Sequence, residues 1–365
     1  MNKILIVGQT PPPFGGQAIM IKKILNGKYD SLKLFHVRMA FSKEMNDMGK
    51  IQLFKIIHLF QLILKIYYFR IVKGVRVLYY PPSGPDKIAV YRDMFILITT
   101  RWLFKKTIFH FHAGGISQLW DKLHFLEKVA FRLAFFKPDI SISLSNLLPP
   151  DAEFLQSKEK VVIPYGIEDF YDKSLRKEKD TKSIKILFIG VLRETKGEFV
   201  LLESSRIMSE KGLDFSVDFV GKFYTKKIKQ QFFNFIDENN LNDKVKYLGV
   251  RTGIEKNEVL ANADIFCFPS FFESETFGLV LVEAMQFYLP LIGTNWRGIP
   301  DNIIDGSNGF LVNIKDPVIL ADKIEKLILN DELRLKMGKM SRKLYEEKYT
   351  IEKFYENLNA CFASL

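Results

Sequence analysis

The stretch ADIFCFPSFFESETFGLVLVEAM, from Ala263 to Met285, decides the fold. Its apolar run Ile265–Phe268 is short enough for a strand buried on both faces, and a proline ends it. An acidic loop with Glu275 follows, and a predicted helix that opens at Phe277-Gly278 carries Glu283. Open α/β sheets bind ligands outside the carboxyl ends of their strands, so this loop is a predicted ligand site. A Glu inside an apolar helix needs a hydrogen-bond partner, and a ligand hydroxyl is one candidate.

Short apolar strands alternate with amphipathic segments along the whole chain, in two blocks. This alternation predicts an α/β fold with two doubly wound parallel sheets, in Rossmann-like domains that face each other across a cleft. The expected domains are residues 1–170 and 184–349, with a charged linker at 171–183 and a last amphipathic helix at 350–365. Five strands are predicted in each block: 3–8, 75–80, 106–112, 139–145 and 160–166, then 184–190, 215–221, 244–248, 265–268 and 289–293.

The charge of the chain is unevenly distributed. The 365 residues carry a formal net charge of +11, and residues 1–110 hold 18 Lys and Arg against 5 Asp and Glu. This excess suits nucleic acid or an anionic membrane surface, and a solvated basic face without a partner is a third interpretation. The two cysteines, Cys267 and Cys361, exclude a disulfide framework and a zinc pattern. They favour a reducing compartment, and the first apolar run is too short for a signal peptide, so a cytoplasmic location is expected.

Residues 51–73 predict a largely apolar helix with one polar stripe. Charges recur too often along it for a transmembrane span. Two interpretations remain: a core helix with one solvated edge, or an interfacial helix set against lipid. The residues of the polar stripe, spaced by an average of 3.5 positions, are Gln52, Lys55, His58, Gln61, Lys65, Arg70 and Lys73.

Two places in the first block are candidates for ligand contacts. Gly15-Gly16 precedes a helix predicted from near Gln17, where backbone N–H groups could hold a phosphate or simply form a tight turn. His112 ends a predicted strand on the same face as His110 and stands beside a glycine pair. A histidine there can reach a ligand, or it can satisfy a local hydrogen bond.

The second block resembles the retaining glycosyltransferases of family 4, also called group 1 glycosyltransferases, which have the two-domain GT-B fold. The resemblance rests mainly on the Glu-x7-Glu motif, here Glu275 to Glu283, behind the strand ADIFCFPS. GVLRETKG (Gly190–Gly197) and NWRGIPDNIIDGSNGFLV (Asn295–Val312) are similar to further segments of the family's second domain. In the first block, PFGGQ, the FHAGG histidine and IPYGIED stand where the family has its glycine-rich loop, its cleft histidine and its Pro-Asn-Gly-φ-Asp turn.

Four positions depart from the family pattern. Val191 stands where the family usually has Arg, so either Arg193 makes that contact or the contact is missing. At the other three positions, Asp301 replaces the usual Glu, Tyr165 replaces the usual Asn and Glu168 replaces the usual Asp.

The resemblance implies a nucleotide-sugar donor, a UDP- or GDP-sugar, with no metal and no other cofactor. Lys196 would neutralise the diphosphate, whose departure needs charge stabilisation. Glu283 would accept hydrogen bonds from the ribose, Glu275 would hold hydroxyls of the donor sugar, and His112 would lie near the transferring sugar. Glu275, His112 and Lys196 are thus the expected catalytic residues. The residues expected to bind the donor are Gly15, Gly16, Arg193, Lys196, Phe277, Gly278, Leu279 and Glu283.

The implied reaction is a retaining transfer to an acceptor held by the first domain. The leaving phosphate oxygen would help to deprotonate the acceptor on the same face of the sugar, and the chain contains no Asp-x-Asp metal-binding pair. A lipid-linked or cell-surface polysaccharide precursor is the expected acceptor, reached by peripheral association with the inner membrane face. The alternatives are a nucleotide-sugar epimerase of the same fold and a basic nucleic-acid-binding protein, although no known nucleic-acid motif occurs. The last helix resembles a family segment that crosses back onto the first domain.

Overall fold

The chain forms two compact units, each built on a six-stranded parallel sheet. The structure is a computed structural model and describes residues 2–12, 15–29, 32–41, 53–177 and 183–365, and for residues 53–55 only the backbone. The first unit consists of Met1–Tyr165 and Glu352–Leu365, and the second of Gly166–Ile351. Residues 166–177, taken above as the end of the first domain and part of the linker, lie in the second unit, and residues 178–182 lie outside the described residues.

The sheet of the first unit has the strand order β2-β1-β3-β4-β5-β6. The order reverses between β1 and β3, so the loops after these two strands diverge and leave a crevice at their carboxyl ends. The strands are β1 (Asn2–Gly8), β2 (Leu32–Arg38), β3 (Val77–Tyr80), β4 (Lys106–Phe111), β5 (Ile140–Ser143) and β6 (Glu159–Val162). The helices are α1 (Gly16–Asn26), α2 (Leu53–Ile71), α3 (Lys87–Thr100), α4 (Phe125–Phe135) and α5 (Asp151–Phe154).

The sheet of the second unit has the order β12-β11-β10-β7-β8-β9, the arrangement of the Rossmann fold, in which the direction reverses between β7 and β10. Its strands are β7 (Ile184–Ile189), β8 (Phe215–Val220), β9 (Val245–Gly249), β10 (Ile265–Phe268), β11 (Leu291–Thr294) and β12 (Gly309–Val312). Its helices are α6 (Glu198–Glu210), α7 (Lys226–Glu238), α8 (Gly253–Ala261), α9 (Leu279–Gln286), α10 (Pro317–Leu329) and α11 (Asp331–Lys348). The final helix, α12 (Ile351–Ala363), belongs to the first unit from Glu352 onward.

Successive side chains along each strand of the first sheet point to opposite faces, and both faces are apolar. Leu5, Leu78 and Phe109 lie on the face that α2, α3 and α4 cover, in one continuous core. On the other face, Tyr79 contacts Phe362 of α12, with ring centroids 6.4 Å apart. The doubly wound α/β fold predicted from the sequence is therefore confirmed.

Two strands were missed in the sequence, and both lie at the edges of their sheets. β2 pairs only with β1 and β12 only with β11 in the strand orders above. An edge strand is partly solvated, so β2 carries a mixed pattern in which only Val37 is fully buried. β12 has four residues and begins with a glycine, which weakens a strand signal further.

The interpretation of residues 51–73 as a core helix with one solvated edge holds for the inner face of the helix only. α2 buries Leu62 and Ile66 against the sheet, but Phe60, Leu64 and Ile71 are exposed. The helix therefore has an apolar inner stripe and an apolar outer stripe. Two members of the predicted polar stripe, Gln52 and the side chain of Lys55, lie outside the described residues.

Candidate active site

Three predicted site residues of the second unit lie on two loops at its topological switch point. The loop after β7 carries Arg193 and Lys196, and the loop after β10 carries Glu275. β7 and β10 are parallel neighbours, with Ile186 opposite Ile265, so their carboxyl ends meet at the same edge of the sheet. The fold thus brings together residues that are far apart in sequence.

Lys196 and Glu275 form an ion pair at the centre of this site. Lys196 Nζ lies 2.5 Å from Glu275 Oε2, and both side chains are largely buried. The hydroxyl of Ser270 also donates to Glu275 Oε2, at 3.1 Å. A largely buried ion pair is strongly held, and removing one partner leaves the other without compensation. The pair therefore holds a cation and a carboxylate side by side at the mouth of the sheet.

Aromatic rings surround the two cations of the site. The Lys196 ammonium and the Arg193 guanidinium both contact the ring of Phe272. Each lies 4.8 Å from the ring centroid. Arg193 also lies over Tyr224, at 4.7 Å. Contacts of this kind orient a cation without neutralising it, so the ring contacts leave the positive charge of Arg193 available to an anion.

Three loops approach so closely at this edge that glycine is required at their crossings. Gly197 has a φ of +86°, and a Cβ there would lie 2.2 Å from the Pro269 carbonyl oxygen. At Gly298, in the loop after β11, a Cβ would lie 1.9 Å from the Thr276 carbonyl oxygen. The Trp296 indole N–H donates to the Phe272 carbonyl at 2.9 Å. The NWRGIP stretch therefore holds the acidic loop in place.

Phe277, Gly278 and Leu279 form the entrance to α9. Gly278 has a φ of +68° and caps the helix, and Leu279 is its first residue. Phe277 is buried, and its carbonyl accepts a hydrogen bond from the Asn302 amide. The first N–H groups of a helix have no intrahelical acceptor and carry the positive end of the helix dipole, which favours a negatively charged or hydroxyl oxygen.

Glu283 has a protein partner that the sequence did not reveal. Its Oε1 lies 2.7 Å from Nζ of Lys256 on α8, so the carboxylate inside α9 is paired. The side chain remains partly exposed, which leaves Oε2 for a further donor. Nothing in the spacing of the α8 sequence pointed to Lys256.

A buried carboxyl group lies directly behind the cationic loop. Glu198, the first residue of α6, is fully buried, and burial raises its pKa to about 7. The backbone N–H groups of Glu198 and Arg193 offset part of that effect. This group was not singled out from the sequence, where it is one of many helix-start glutamates.

In the first unit, Gly15 and Gly16 lie where the sequence placed them, at the start of a helix after β1. Gly15 is the extended N-cap of α1, and a Cβ at either glycine would meet nothing within 4 Å. Neither glycine is therefore needed for close packing. Arg38 donates to the carbonyls of Thr10 and Pro12 in the same loop, at 3.2 and 2.6 Å.

His112 lies at the end of β4 in a buried network of rings and hydroxyls. Its ring stacks on that of His110 with centroids 4.1 Å apart, so the two histidines share a face as predicted. His112 Nδ1 hydrogen-bonds the Tyr165 hydroxyl, and Nε2 lies 3.5 Å from the Tyr79 hydroxyl. Burial lowers the pKa of His112 to about 3, so the ring is neutral at physiological pH. Tyr165, a departure from the family pattern, is thus the partner of this histidine.

Among the described residues, no group of three or more His, Cys, Asp and Glu side chains is arranged to hold a metal ion. The absence of a metal from the reaction stays a prediction.

The comparison with a family model agrees with this site. Residues 170–344 match the model of "Glycosyl transferases group 1". The resemblance noted in the sequence is confirmed over these residues.

Curated relatives match about half of the chain. The capsular polysaccharide biosynthesis glycosyltransferase CapM of Staphylococcus aureus is 29% identical over 176 residues, which cover 48% of this chain and 44% of CapM. An uncharacterized glycosyltransferase of Methanocaldococcus jannaschii is 34% identical over 181 residues, covering 47% of this chain and 48% of the relative. The chain thus spans less than half the length of these two relatives.

Solved structures share the fold over the entire chain. HepE of Anabaena in complex with UDP superposes with a TM-score of 0.74 at 18% identity, covering 100% of both chains. HepE in complex with UDP-glucose gives 0.71 at 16% identity, again covering 100% of both. These neighbours establish the GT-B fold for this chain.

Proposed function

We propose that the protein transfers a sugar from a nucleotide-sugar donor to an acceptor hydroxyl, with retention of the anomeric configuration. The observation that carries this proposal is the Lys196–Glu275 ion pair at the switch point of the second sheet, 2.5 Å across. A cation for a diphosphate and a carboxylate for sugar hydroxyls stand side by side, the two functions that a nucleotide sugar requires. HepE, which shares the fold, was solved with UDP and with UDP-glucose.

Each partner of the pair has a role when the donor binds. The diphosphate draws the Lys196 ammonium and the Arg193 guanidinium, because it carries two negative charges against the single charge of the carboxylate that it replaces. Glu275 then accepts hydrogen bonds from the sugar hydroxyls. The ion pair therefore keeps both side chains oriented before binding and exchanges its contacts for those of the donor.

The helix α9 supplies the remaining donor contacts. Its first N–H groups, near Gly278 and Leu279, face an incoming oxygen with the positive end of the helix dipole. Glu283 accepts hydrogen bonds from the ribose through Oε2 while Lys256 holds Oε1 at 2.7 Å. In the first unit, the N–H groups at Gly15 and Gly16 are proposed phosphate contacts, because the space around both glycines is open.

In the transfer, the acceptor oxygen forms a bond to the anomeric carbon while the bond from that carbon to the phosphate oxygen breaks. The acceptor proton passes to an oxygen of the leaving phosphate on the same face. Lys196 stabilises the negative charge that develops on that phosphate. Burial lowers the pKa of His112 to about 3, so the neutral ring does not act as a general acid, and its proposed role is to orient the sugar by hydrogen bonding. The proposed acceptor is a lipid-linked or cell-surface polysaccharide precursor, supported by the similarity to CapM.

The experiment is transfer from a panel of UDP- and GDP-sugars, ranked first by the thermal stabilisation that each confers. With the best donor, Lys196→Ala and Glu275→Gln should each lower kcat by on the order of 10²-fold or more, because each removes a transition-state contact. The matched control is Lys211→Ala, which breaks an ion pair of the same length, 2.5 Å to Glu325, on the surface of the second unit. Exposed pairs contribute little, so this variant should keep normal turnover.

Two results would contradict the proposal. Near-normal turnover in both Lys196→Ala and Glu275→Gln would show that the ion pair is not part of the active site. Conversion of the donor sugar without any acceptor, detected by analysing the sugar nucleotide itself, would favour the epimerase.

A further inference from the structure

The outer surface of the first unit carries apolar side chains that its own core does not use. On α2, Phe60, Leu64, Tyr68 and Ile71 recur every three or four residues, so they form one stripe along the helix. Leu64 and Ile71 are each 68% exposed. Because α2 already buries a second stripe against the sheet, this outer stripe is surplus to folding.

The next two helices of the same layer repeat this pattern. α3 exposes Ile88, Phe95 and Ile98, and the turn after it exposes Trp102, at 71%. α4 exposes Phe125 and Leu126, at 79% and 77%, followed by Leu133. We call these exposed side chains of α2, α3, the 101–103 turn and α4 the outer helix face.

The outer helix face is continuous from one helix to the next. The ring of Phe60 on α2 contacts that of Phe95 on α3, with centroids 6.2 Å apart. An open depression of about 510 Å³ joins Ile98 and Trp102 to Leu133 of α4. Arg101 fixes this junction by donating to the carbonyls of Ala134 and Phe136, both at 2.8 Å. Contiguous exposed apolar surface of this extent marks an interaction site.

The charge around the outer helix face is strongly positive. Residues 53–137 hold 14 Lys and Arg against four Asp and Glu. One of the four, Asp93, is fully buried and paired with Arg92. On α4, Lys128 and Arg132 lie within the same helical turns as Phe125 and Leu133, so cations are interleaved with the apolar side chains.

This mixture favours one class of partner over two others. A symmetric contact between two copies would bring like charges together, and the cores of such interfaces are depleted in charged residues. Nucleic acid would meet the cations but would leave the exposed leucines and isoleucines unsatisfied. An anionic bilayer satisfies both, since its phosphates attract the cations while apolar side chains enter the boundary between headgroups and acyl chains. Exposed tryptophan and tyrosine are typical of that boundary.

We propose that the outer helix face docks on the surface of an anionic lipid bilayer, with Phe125, Leu126, Trp102 and Leu64 inserted at the boundary. Lys128 and Arg132 contact lipid phosphates. This surface is separate from the donor site, so its test does not depend on the proposed reaction.

The experiment is flotation of the full chain at physiological salt with phosphatidylcholine vesicles, with and without phosphatidylglycerol. The chain should float with phosphatidylglycerol vesicles. Phe125→Ser/Leu126→Ser should weaken this binding by about tenfold or more, because two highly exposed apolar anchors are lost. The matched control is Leu329→Ser/Leu335→Ser, which changes two exposed leucines of the second unit, 68% and 62% exposed, and should bind as the wild type does.

The electrostatic contribution to vesicle binding is tested by reversing the charge of exposed cations. Lys128→Glu/Arg132→Glu should lower binding to phosphatidylglycerol vesicles at least about tenfold, since each cation near an anionic surface contributes to the affinity. Lys226→Glu/Lys229→Glu, on the exposed side of α7 in the second unit, should leave binding unchanged. Thermal melts of all variants report whether they remain folded, and the changed residues are exposed or only partly buried.

A spectroscopic measurement reports insertion directly. The tryptophan emission of the chain should shift to shorter wavelength with phosphatidylglycerol vesicles, and Trp102→Phe should remove that shift. The proposal is overturned if the wild type does not float, or if Phe125→Ser/Leu126→Ser floats equally well. Light scattering that finds a two-chain mass, abolished by the same variant and without flotation, would assign the face to self-association instead.

Discussion

Glu198 is a carboxyl group that the fold buries at the start of α6, beside the cationic loop. Its folded pKa of about 7 lies above its ordinary value of 4.5, so the folded state binds the proton more tightly than the unfolded state does. The stabilising contribution of the protonated form is complete below pH 4.5 and is lost as the pH rises through 7. The full difference corresponds to roughly 3 kcal/mol.

We predict that Glu198→Gln abolishes the loss of folding stability that the wild type shows as the pH rises through 7. Between pH 5 and pH 8.5, urea unfolding of the wild type should show a fall in the free energy of unfolding, relative to the variant, of up to about 3 kcal/mol. Glu210→Gln is the control, because it makes the same charge change on the same helix at a side chain that is 63% exposed. Parallel pH profiles for the wild type and Glu198→Gln would show that this carboxyl does not titrate as described.

At the level of single residues, the sequence indicated candidate site residues only where a motif covered them. Glu275, Glu283 and Lys196 were identified by segments with fixed spacing. Lys256 was not, because it lies 27 residues before Glu283 and meets it only through the packing of α8 on α9. A contact of this kind depends on tertiary structure and leaves no local pattern.

At the level of elements, the loop after β7 depends on one glycine for two reasons. Gly197 adopts a left-handed φ, and it also lies against the Pro269 carbonyl. Gly212, in the turn after α6, has a similar φ of +72° but open space around it. Substitution of Gly212 therefore measures the cost of the left-handed backbone alone, whereas substitution of Gly197 adds the cost of the close contact.

We predict that Gly212→Ala costs about 1 kcal/mol of stability, the penalty of a left-handed alanine. Gly197→Ala should cost at least about 2 kcal/mol more, since its methyl group must displace the Pro269 backbone. It should also reduce the thermal stabilisation conferred by the donor, because the displaced loop carries Glu275. Differential scanning fluorimetry with and without donor measures both effects. Equal losses in the two variants would mean that the loops are not in close contact.

The sequence predicted a strand when both of its faces were buried, and a helix when one of its faces was buried, because burial leaves a regular apolar pattern. The central strands gave continuous apolar runs, whereas the edge strands β2 and β12 did not and were missed. In α2 the apolar residues occupied two opposite stripes, and the periodicity of the sequence alone did not distinguish burial from exposure. Burial depends on what lies opposite the helix, which is not a local property.

At the level of the whole molecule, the first unit is completed by a segment distant in sequence. α12 buries Phe354, Leu358 and Phe362 at helical spacing. Phe362 contacts the ring of Tyr29 at 5.6 Å, and the Tyr355 hydroxyl donates to the Lys23 carbonyl at 3.1 Å. This placement agrees with the family resemblance of the last helix.

We predict that Phe362→Ala destabilises the first unit by about 3 to 5 kcal/mol, the usual cost of removing a buried phenylalanine. Chemical denaturation followed by hydrogen exchange should locate the loss in residues of the first unit. Leu335→Ala, at an exposed position of α11, is the control and should change stability by less than about 0.5 kcal/mol. A loss confined to the second unit would contradict the assignment of α12.

The interrupted path of the chain also has a consequence for biosynthesis. The ribosome makes residues 166–351, which form the whole of the second unit, before it makes Glu352–Leu365, the returning segment of the first unit. Every residue of the second unit is therefore available for folding while the first unit still lacks Phe354, Leu358 and Phe362. Until translation reaches them, the part of the Tyr79 face that Phe362 contacts is uncovered, and a nascent chain stalled before α12 offers it to chaperones.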